Sequence, residues 1–203
     1  MKTQNKILLI TFLIISTSAF RLSAQYESVV HRNIPVILQR TIALQGSLVS
    51  TVAGASRVTI PFVLPPNTVA WYYSFSTNNA KQNNTNKPLN LNGQLNDYFS
   101  RNRQHSNELR SALNVPFGAN SIDVYLLDSI NQNIFLGKNA APNTSFAFIN
   151  EGTVKQLKQA VVMVNGIKSG KWALGISNPA PLIPVILNIE IIAIVEETIW
   201  VDE

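Results

Sequence analysis

From residue 57 onward, apolar and polar positions alternate in short runs with the two-residue period of half-buried strands. Between Arg57 and Leu64, positions Val58, Ile60, Phe62 and Leu64 share one face. Pro61 has no N–H to give a ladder, which predicts an edge strand or a bulge there. Pro65, Pro66, Asn67 and Thr68 form a turn signal. The next run places Val69, Trp71, Tyr73 and Phe75 on one face and Ala70, Tyr72 and Ser74 on the other. So short a turn predicts that these two strands pair with each other. Further on, Ile122, Val124 and Leu126 alternate with Asp123, Tyr125 and Leu127, and Trp172, Leu174 and Ile176 line one face of the run Lys171–Ser177. From Val185 to Val195, Val185, Leu187, Ile189 and Ile191 alternate with Ile186, Asn188, Glu190 and Ile192.

The remaining segments are less regular. Pro35 after Ile34 predicts an extended entry, and Val36 to Val52 fits either a helix or two short strands. Residues 76–94 are crowded with Asn, Gln, Thr and Lys and read as a long loop, with 77–96 expected to be mobile and dispensable for folding. Phe99, Leu109 and Leu113 give Asn96 to Leu113 helical spacing. Ser129 to Asn133 reads as a polar turn before Ile134–Leu136, Phe146–Ile149 as a short strand, and Thr153 to Ala160 as a brief helix with Val154 and Leu157 inward. Short strands separated by Pro, Gly and Asn turns predict a mostly β protein. The expected fold is an antiparallel β-sandwich, jelly-roll-like, with a polar insertion at about 76–120 carrying a short helix.

Composition narrows the class. With 203 residues, 46% hydrophobic and 13% charged, the chain suits a globular domain and has enough apolar material for one core. It contains no cysteine, so disulfides and thiolate metal sites are excluded. Lys2 and Lys6, the apolar run Ile7–Ile15 and the small residues Ser16–Ala19 have the three-part layout of a secretory signal. The expectation is a signal peptide over residues 1–24, cleaved after Ala24 or, alternatively, Ala19, and a single domain over 25–203. The product is then destined for the periplasm, the cell surface or the medium. The apolar run is far shorter than the roughly 20 residues a spanning helix needs. Leu182 to Val195 is also too short and is interrupted by Pro184, Asn188 and Glu190, so no transmembrane segment is expected in the mature chain.

The formal charge of +5 shrinks once the leader is set aside. Without Lys2, Lys6 and Arg21, 16 basic residues become 13 against 11 acidic ones, a balance of +2. The bases are scattered, the densest group being Arg101, Arg103 and Arg110. Nucleic acid is therefore not an expected partner, since its binders carry a basic stripe or patch.

Catalytic patterns are scarce. There are two histidines, His31 and His105, neither within a motif. The chain lacks a Gly-x-Ser-x-Gly elbow, a Gly-rich phosphate loop and a His-Glu-x-x-His signature. Asp123 and Asp128 lie five residues apart along a strand and point to opposite faces, which argues against a glycosidase pair. Oxygen-bearing Asp128, Asn131 and Asn133 alternate as in a calcium loop, but the glycine turn and closing glutamate are missing, so a solvated turn is the simpler reading. No catalytic residue, metal site or cofactor is expected, and the chain is not expected to be an enzyme.

The order of strands resembles a known type. The Pro65–Thr68 turn leads to an aromatic strand with Trp71, Tyr72 and Tyr73, a strand at 123–128 follows, and Gly170 to Pro179 precedes a long Val/Ile strand. This resembles the jelly-roll β-sandwich domains of the GOLD and bacterial pre-peptidase C-terminal types, in which a Gly-x-Trp-x-Leu-x-Ile-x-Asn strand precedes the closing strand. The resemblance covers about residues 57–75 and 121–195; the insertion and the domain standing as the whole mature protein depart from it. It implies protein or carbohydrate interaction and offers no catalytic residues.

The expected function is thus an exported, non-catalytic binding module, with a structural or assembly component of a cell-envelope complex as the alternative. Trp71, Tyr73 and Phe75 read as core. Tyr72 and Tyr125 are the expected exposed aromatic pair, and Asn83, Asn84, Arg101 and Arg103 of the insertion are the expected polar contacts for a carbohydrate or protein partner. Trp172 is expected to be buried against Leu187 and Ile189.

Overall fold

A computed structural model describes residues 26–50, 54–79, 89–101, 109–137 and 145–202. The expected leader, and with it the cleavage site, lies outside them. The strands are β1 (Tyr26–Asn33), β2 (Val36–Leu44), β3 (Arg57–Leu64), β4 (Thr68–Asn79), β5 (Ile122–Leu127), β6 (Ile149–Leu157), β7 (Gln159–Val164), β8 (Gly170–Ser177) and β9 (Val185–Asp202). The helices are α1 (Leu91–Arg101), α2 (Leu109–Ala112) and α3 (Ser129–Leu136).

The fold is an antiparallel β-sandwich, as the alternation predicts. One sheet has the order β1-β9-β4-β7, with β2 also pairing β9; the other runs β3-β8-β5-β6. The chain falls into two compact units. Residues 32–197 hold the sandwich. Residues 26–31 and 198–202, the outer ends of β1 and β9, make up the described part of the small unit, where Val29, Val30, Ile199, Trp200 and Val201 are exposed.

The sandwich core is built by the alternation itself. Trp71, Tyr73 and Phe75 of β4 and Leu187, Ile189 and Ile191 of β9 meet Ile60 and Phe62 of β3, Val124 and Leu126 of β5, and Leu174 and Ile176 of β8. Pro61 stands on β3, an edge strand, where its missing N–H costs no ladder bond. The expected β3–β4 pairing is not made. β3 pairs with β8 and β4 with β7 and β9, so the turn after Leu64, with Asn67 at φ 58°, carries the chain from one sheet to the other.

The described part of the insertion is more ordered than its composition suggests. β4 continues as a strand to Asn79, pairing Thr77, Asn78 and Asn79 with Leu187, Ile186 and Val185. The helix begins at Leu91 rather than Asn96 and ends at Arg101, and Leu109–Ala112 is a separate turn. Leu91, Leu95, Leu109 and Leu113 are buried against Ile34, Ala70, Tyr72, Ile192 and Ile194, forming a second core on the outer face of the first sheet. Burying a leucine stabilises by about 1.5–3 kcal/mol, so residues 89–96 are packed structure, contrary to the expected dispensable loop. Glu190 fixes where α1 starts. Its carboxylate, buried on β9, accepts the free N–H groups of Leu91 (2.9 Å) and Asn92 (3.3 Å). Gln94 and Asn114 exchange two hydrogen bonds that tie α1 to the chain after α2.

Three further readings are corrected. Ser129–Leu136 is a helix, because the Asp128 carboxylate accepts from the N–H groups of Ile130 and Asn131 as an N-cap. Thr153 to Ala160 belongs to strands β6 and β7, and residues 146–148 are not a strand. Trp172 is only half-buried, at the rim of the core, and its indole N–H donates to the Ser169 carbonyl (2.8 Å). The fully buried indole is that of Trp71.

Candidate functional site

The outer face of the second sheet carries the polar half of three strands, laid out in rows. Ser177 of β8 is the register partner of both Arg57 of β3 and Asp123 of β5. In the next row Gly175 stands between Thr59 and Tyr125, and in the third Ala173 between Pro61 and Leu127. Adjacent strands are about 4.8 Å apart, so the Arg57 and Asp123 backbones are separated by about 10 Å across a small serine.

Helix α3 covers one end of this face and leaves the other open. A side chain at position 175 would come within 2.5 Å of Leu127 and 3.1 Å of the Phe135 ring. Glycine therefore lets α3 lie directly on the sheet with Phe135 buried. Asn131 of the same helix donates to Asp128 (3.0 Å) and accepts from the Ala147 N–H (2.6 Å), anchoring residues 145–148 beside the helix. The outcome is an aromatic wall. Tyr125 lies edge-on to Phe146, with centroids 5.1 Å apart, and 5.4 Å from Phe148 and 5.7 Å from Phe135.

The opposite wall is backbone. The Ser47 N–H donates to Ala180 (2.8 Å) and the Leu48 N–H to Pro181 (3.0 Å). Gly46 permits this approach, since a Cβ there would lie 2.5 Å from the Pro181 carbonyl oxygen. Buried Asn178 holds the junction, donating to the carbonyls of Gln45 (3.0 Å) and Ile183 (2.8 Å).

Between the walls lies an open cleft of about 460 Å³, lined by Arg57, Asp123, Ser177, Tyr125, Phe135 and Phe146, with Ser47, Ser50 and Ser56 along its side. Ligand pockets run from about 300 to 1,000 Å³. A shallower depression of about 340 Å³, lined by Asn120, Ser121, Gln156 and Ala180, shares Pro179 with the cleft. Asp123 is held in place by the Gln156 N–H (2.9 Å) and the Tyr125 hydroxyl (3.2 Å). Burial raises the Tyr125 pKa, and the Asp123 charge and hydrogen bond raise it further, while Arg57 pulls it down. The phenol therefore stays a hydrogen-bond donor at neutral pH.

Of the residues expected to bind, Tyr125 is in this cleft. Tyr72 is not exposed and does not pair with it: it is fully buried beneath α1, its hydroxyl donates to the Met163 sulfur (2.9 Å), and burial raises its pKa. The helix that covers it lies some twenty residues away in sequence, out of reach of a strand-face argument. Arg101 is exposed at the end of α1, on the opposite outer face, and pairs with Asp97 (2.7 Å). Asn83, Asn84, Arg103 and His105 lie outside the described residues, and His31 is on β1. Among the described residues, no group of three His, Asp or Glu side chains could hold a metal. Arg57, Asp123, Phe135 and Phe146 were not foreseen as site residues, although Asp123 and Tyr125 sharing one strand face was a visible signal. No family model and no curated protein matches this chain.

Proposed function

We propose that this protein is an exported, non-catalytic binding module whose ligand is a carbohydrate held in the cleft above Ser177. The observation that carries this reading is the combination of an aromatic wall with Arg57 and Asp123 on the two flanks of a small serine. Aromatic rings stack on the C–H faces of a sugar, a carboxylate accepts its hydroxyls, and a guanidinium donates to its oxygens. The neighbouring depression suits a chain of several sugar units. Asp123 is the sole carboxylate among the described lining residues, whereas glycoside hydrolysis in its usual form uses two. The resemblance to GOLD and pre-peptidase C-terminal domains points the same way, since their role is interaction.

Calorimetric titration against a panel of soluble polysaccharides tests the proposal. Binding to at least one polymer, lost in Tyr125→Ala with the fold intact, is the expected result; no binding across the panel overturns it.

A second reading, assembly within a cell-envelope complex, is favoured by the exposed Val29, Val30, Ile199, Trp200 and Val201. Two strands with apolar residues in water are suited to adding a partner's strand. Co-purification of envelope proteins that is lost in Trp200→Ser would support it.

A further inference from the structure

We infer that the sugar taken by this cleft is acidic, with its carboxylate at Arg57 and its hydroxyls at Asp123. The inference rests on the carbohydrate reading above and adds the class of sugar and the residue that selects it.

Arg32 pairs with Glu196 (2.6 Å) and Arg101 with Asp97 (2.7 Å). Arg57, like Arg40, makes no ion pair among the described residues; what sets it apart is its place in the cleft, with its guanidinium 5.6 Å from the Phe135 ring centroid. Lys155, on the other side of Tyr125, repeats the pattern. Its ammonium is 4.7 Å from the Phe148 centroid and 5.4 Å from that of Tyr125, again with no carboxylate partner among the described residues. Two cations thus rest over the same aromatic cluster with their charge uncompensated.

The local acid does not neutralise them. Asp123 is the Ser177 partner on the far side from Arg57, their backbones about 10 Å apart along the row, and among the described residues no ion pair joins the two side chains. Its two oxygens are committed to the Gln156 N–H and the Tyr125 hydroxyl, each keeping lone pairs for further donors. The cleft is therefore bipolar, with a fork of N–H donors at one end and an acceptor carboxylate at the other. A uronic acid has the matching polarity: a planar carboxylate for the guanidinium fork and ring hydroxyls for Asp123. A neutral sugar would leave the Arg57 charge unanswered.

The test compares polygalacturonate with its carboxyl-reduced form, the same backbone made neutral, by calorimetric titration of the full chain in moderate salt. The wild-type protein should bind the acidic polymer at least about tenfold more tightly, the worth of one charge-assisted hydrogen-bonded pair. Arg57→Gln should abolish that preference, costing far more affinity for the acidic polymer than for the neutral one, and Arg57→Lys, which keeps the charge but loses the fork, should restore it only in part. Arg57 is exposed, so both variants should melt as the wild type does. Equal binding of the two polymers overturns the acidic assignment and leaves the carbohydrate reading standing. Binding of neither polymer, with no other polysaccharide bound, overturns both. Binding of a dT oligonucleotide as tight as that of the polyuronate would replace the inference with general polyanion attraction.

Discussion

The two outer faces of the sandwich start from the same kind of strand and come to opposite ends. On the first sheet, Ala70, Tyr72, Ile192 and Ile194 are apolar, and Leu91 and Leu95 of α1, Leu109 of α2 and Leu113 just after it seal them. On the second, the equivalent positions are Arg57, Ser177, Asp123 and Tyr125, and α3 covers only the end where Gly175 admits Phe135. The first face has become a second core, which leaves β4 and β9 buried on both sides. The second remains half open, and its charges have no place to be hidden. The difference teaches that a helix laid over a sheet makes either stability or a site, depending on whether the sheet beneath it is apolar across its whole width.

The sharpest way to break this contrast is to truncate one tyrosine on each face. Tyr72→Ala should cost about 3–5 kcal/mol in chemical denaturation, as for a buried aromatic. Tyr125→Ala, half-buried at the cleft, should cost about 1 kcal/mol. Equal losses would mean that the aromatic wall is a core and the cleft a defect in it. Trp172→Ala should fall below Tyr72→Ala, since the Trp172 indole reaches the rim. Next in size, Leu95→Ala should cost about 3 kcal/mol, and thermal melting would reveal it; a near-neutral result would detach α1 from the fold.

The helix starts give smaller effects. Glu190→Gln keeps one acceptor but removes the charge facing the first turn of α1, and should cost about 1 kcal/mol. Asp128→Asn should be nearly neutral at pH 7, within a few tenths of a kcal/mol, because asparagine also caps and the site is solvent-screened. Its signature lies in acid. The Asn131 N–H, with further hydrogen bonds from Asn131 and Ile130, holds the Asp128 carboxyl below its ordinary value of 3.8. A lowered folded-state pKa means a contribution present above 3.8 and lost as the pH falls through the folded value. Melting temperatures measured from pH 5 down to pH 2 should therefore fall more steeply for the wild type than for the variant.

The strand faces that line the sandwich core are legible from alternation alone in β3, β5, β8 and β9. The failures have physical causes. β6 is an edge strand with a mostly exposed sequence, and the spacing of Val154 and Leu157 imitates a helical repeat. In α3 the capping role of Asp128 was hidden by its resemblance to a polar turn. The second core was invisible because Tyr72 is covered by Leu91 and Leu95, whose intervening sequence is polar. The candidate site was the least legible, because Arg57, Asp123 and Ser177 are brought into one row by strand register across more than a hundred residues. A sequence shows which strand face is polar. It does not show which polar faces will be neighbours.

The position of β9 has a consequence for how the molecule is made. Its first half lies between β2 and β4, paired with β2 over 185–192 and with β4 over 185–195, yet it follows every other described strand in the chain. Each of these pairings closes a loop of more than a hundred residues, the kind of long-range contact that slows folding to milliseconds or seconds. During synthesis, β2 and β4 emerge with their common neighbour still unmade, and Trp71, Tyr73 and Tyr72 have nothing to pack between. The sheet cannot assemble from its N-terminal end; it waits for residues 185–195. Closing the sandwich is therefore a late step, open only to a chain that already carries β9, whereas β3, β5, β6 and β8 are paired among themselves without it.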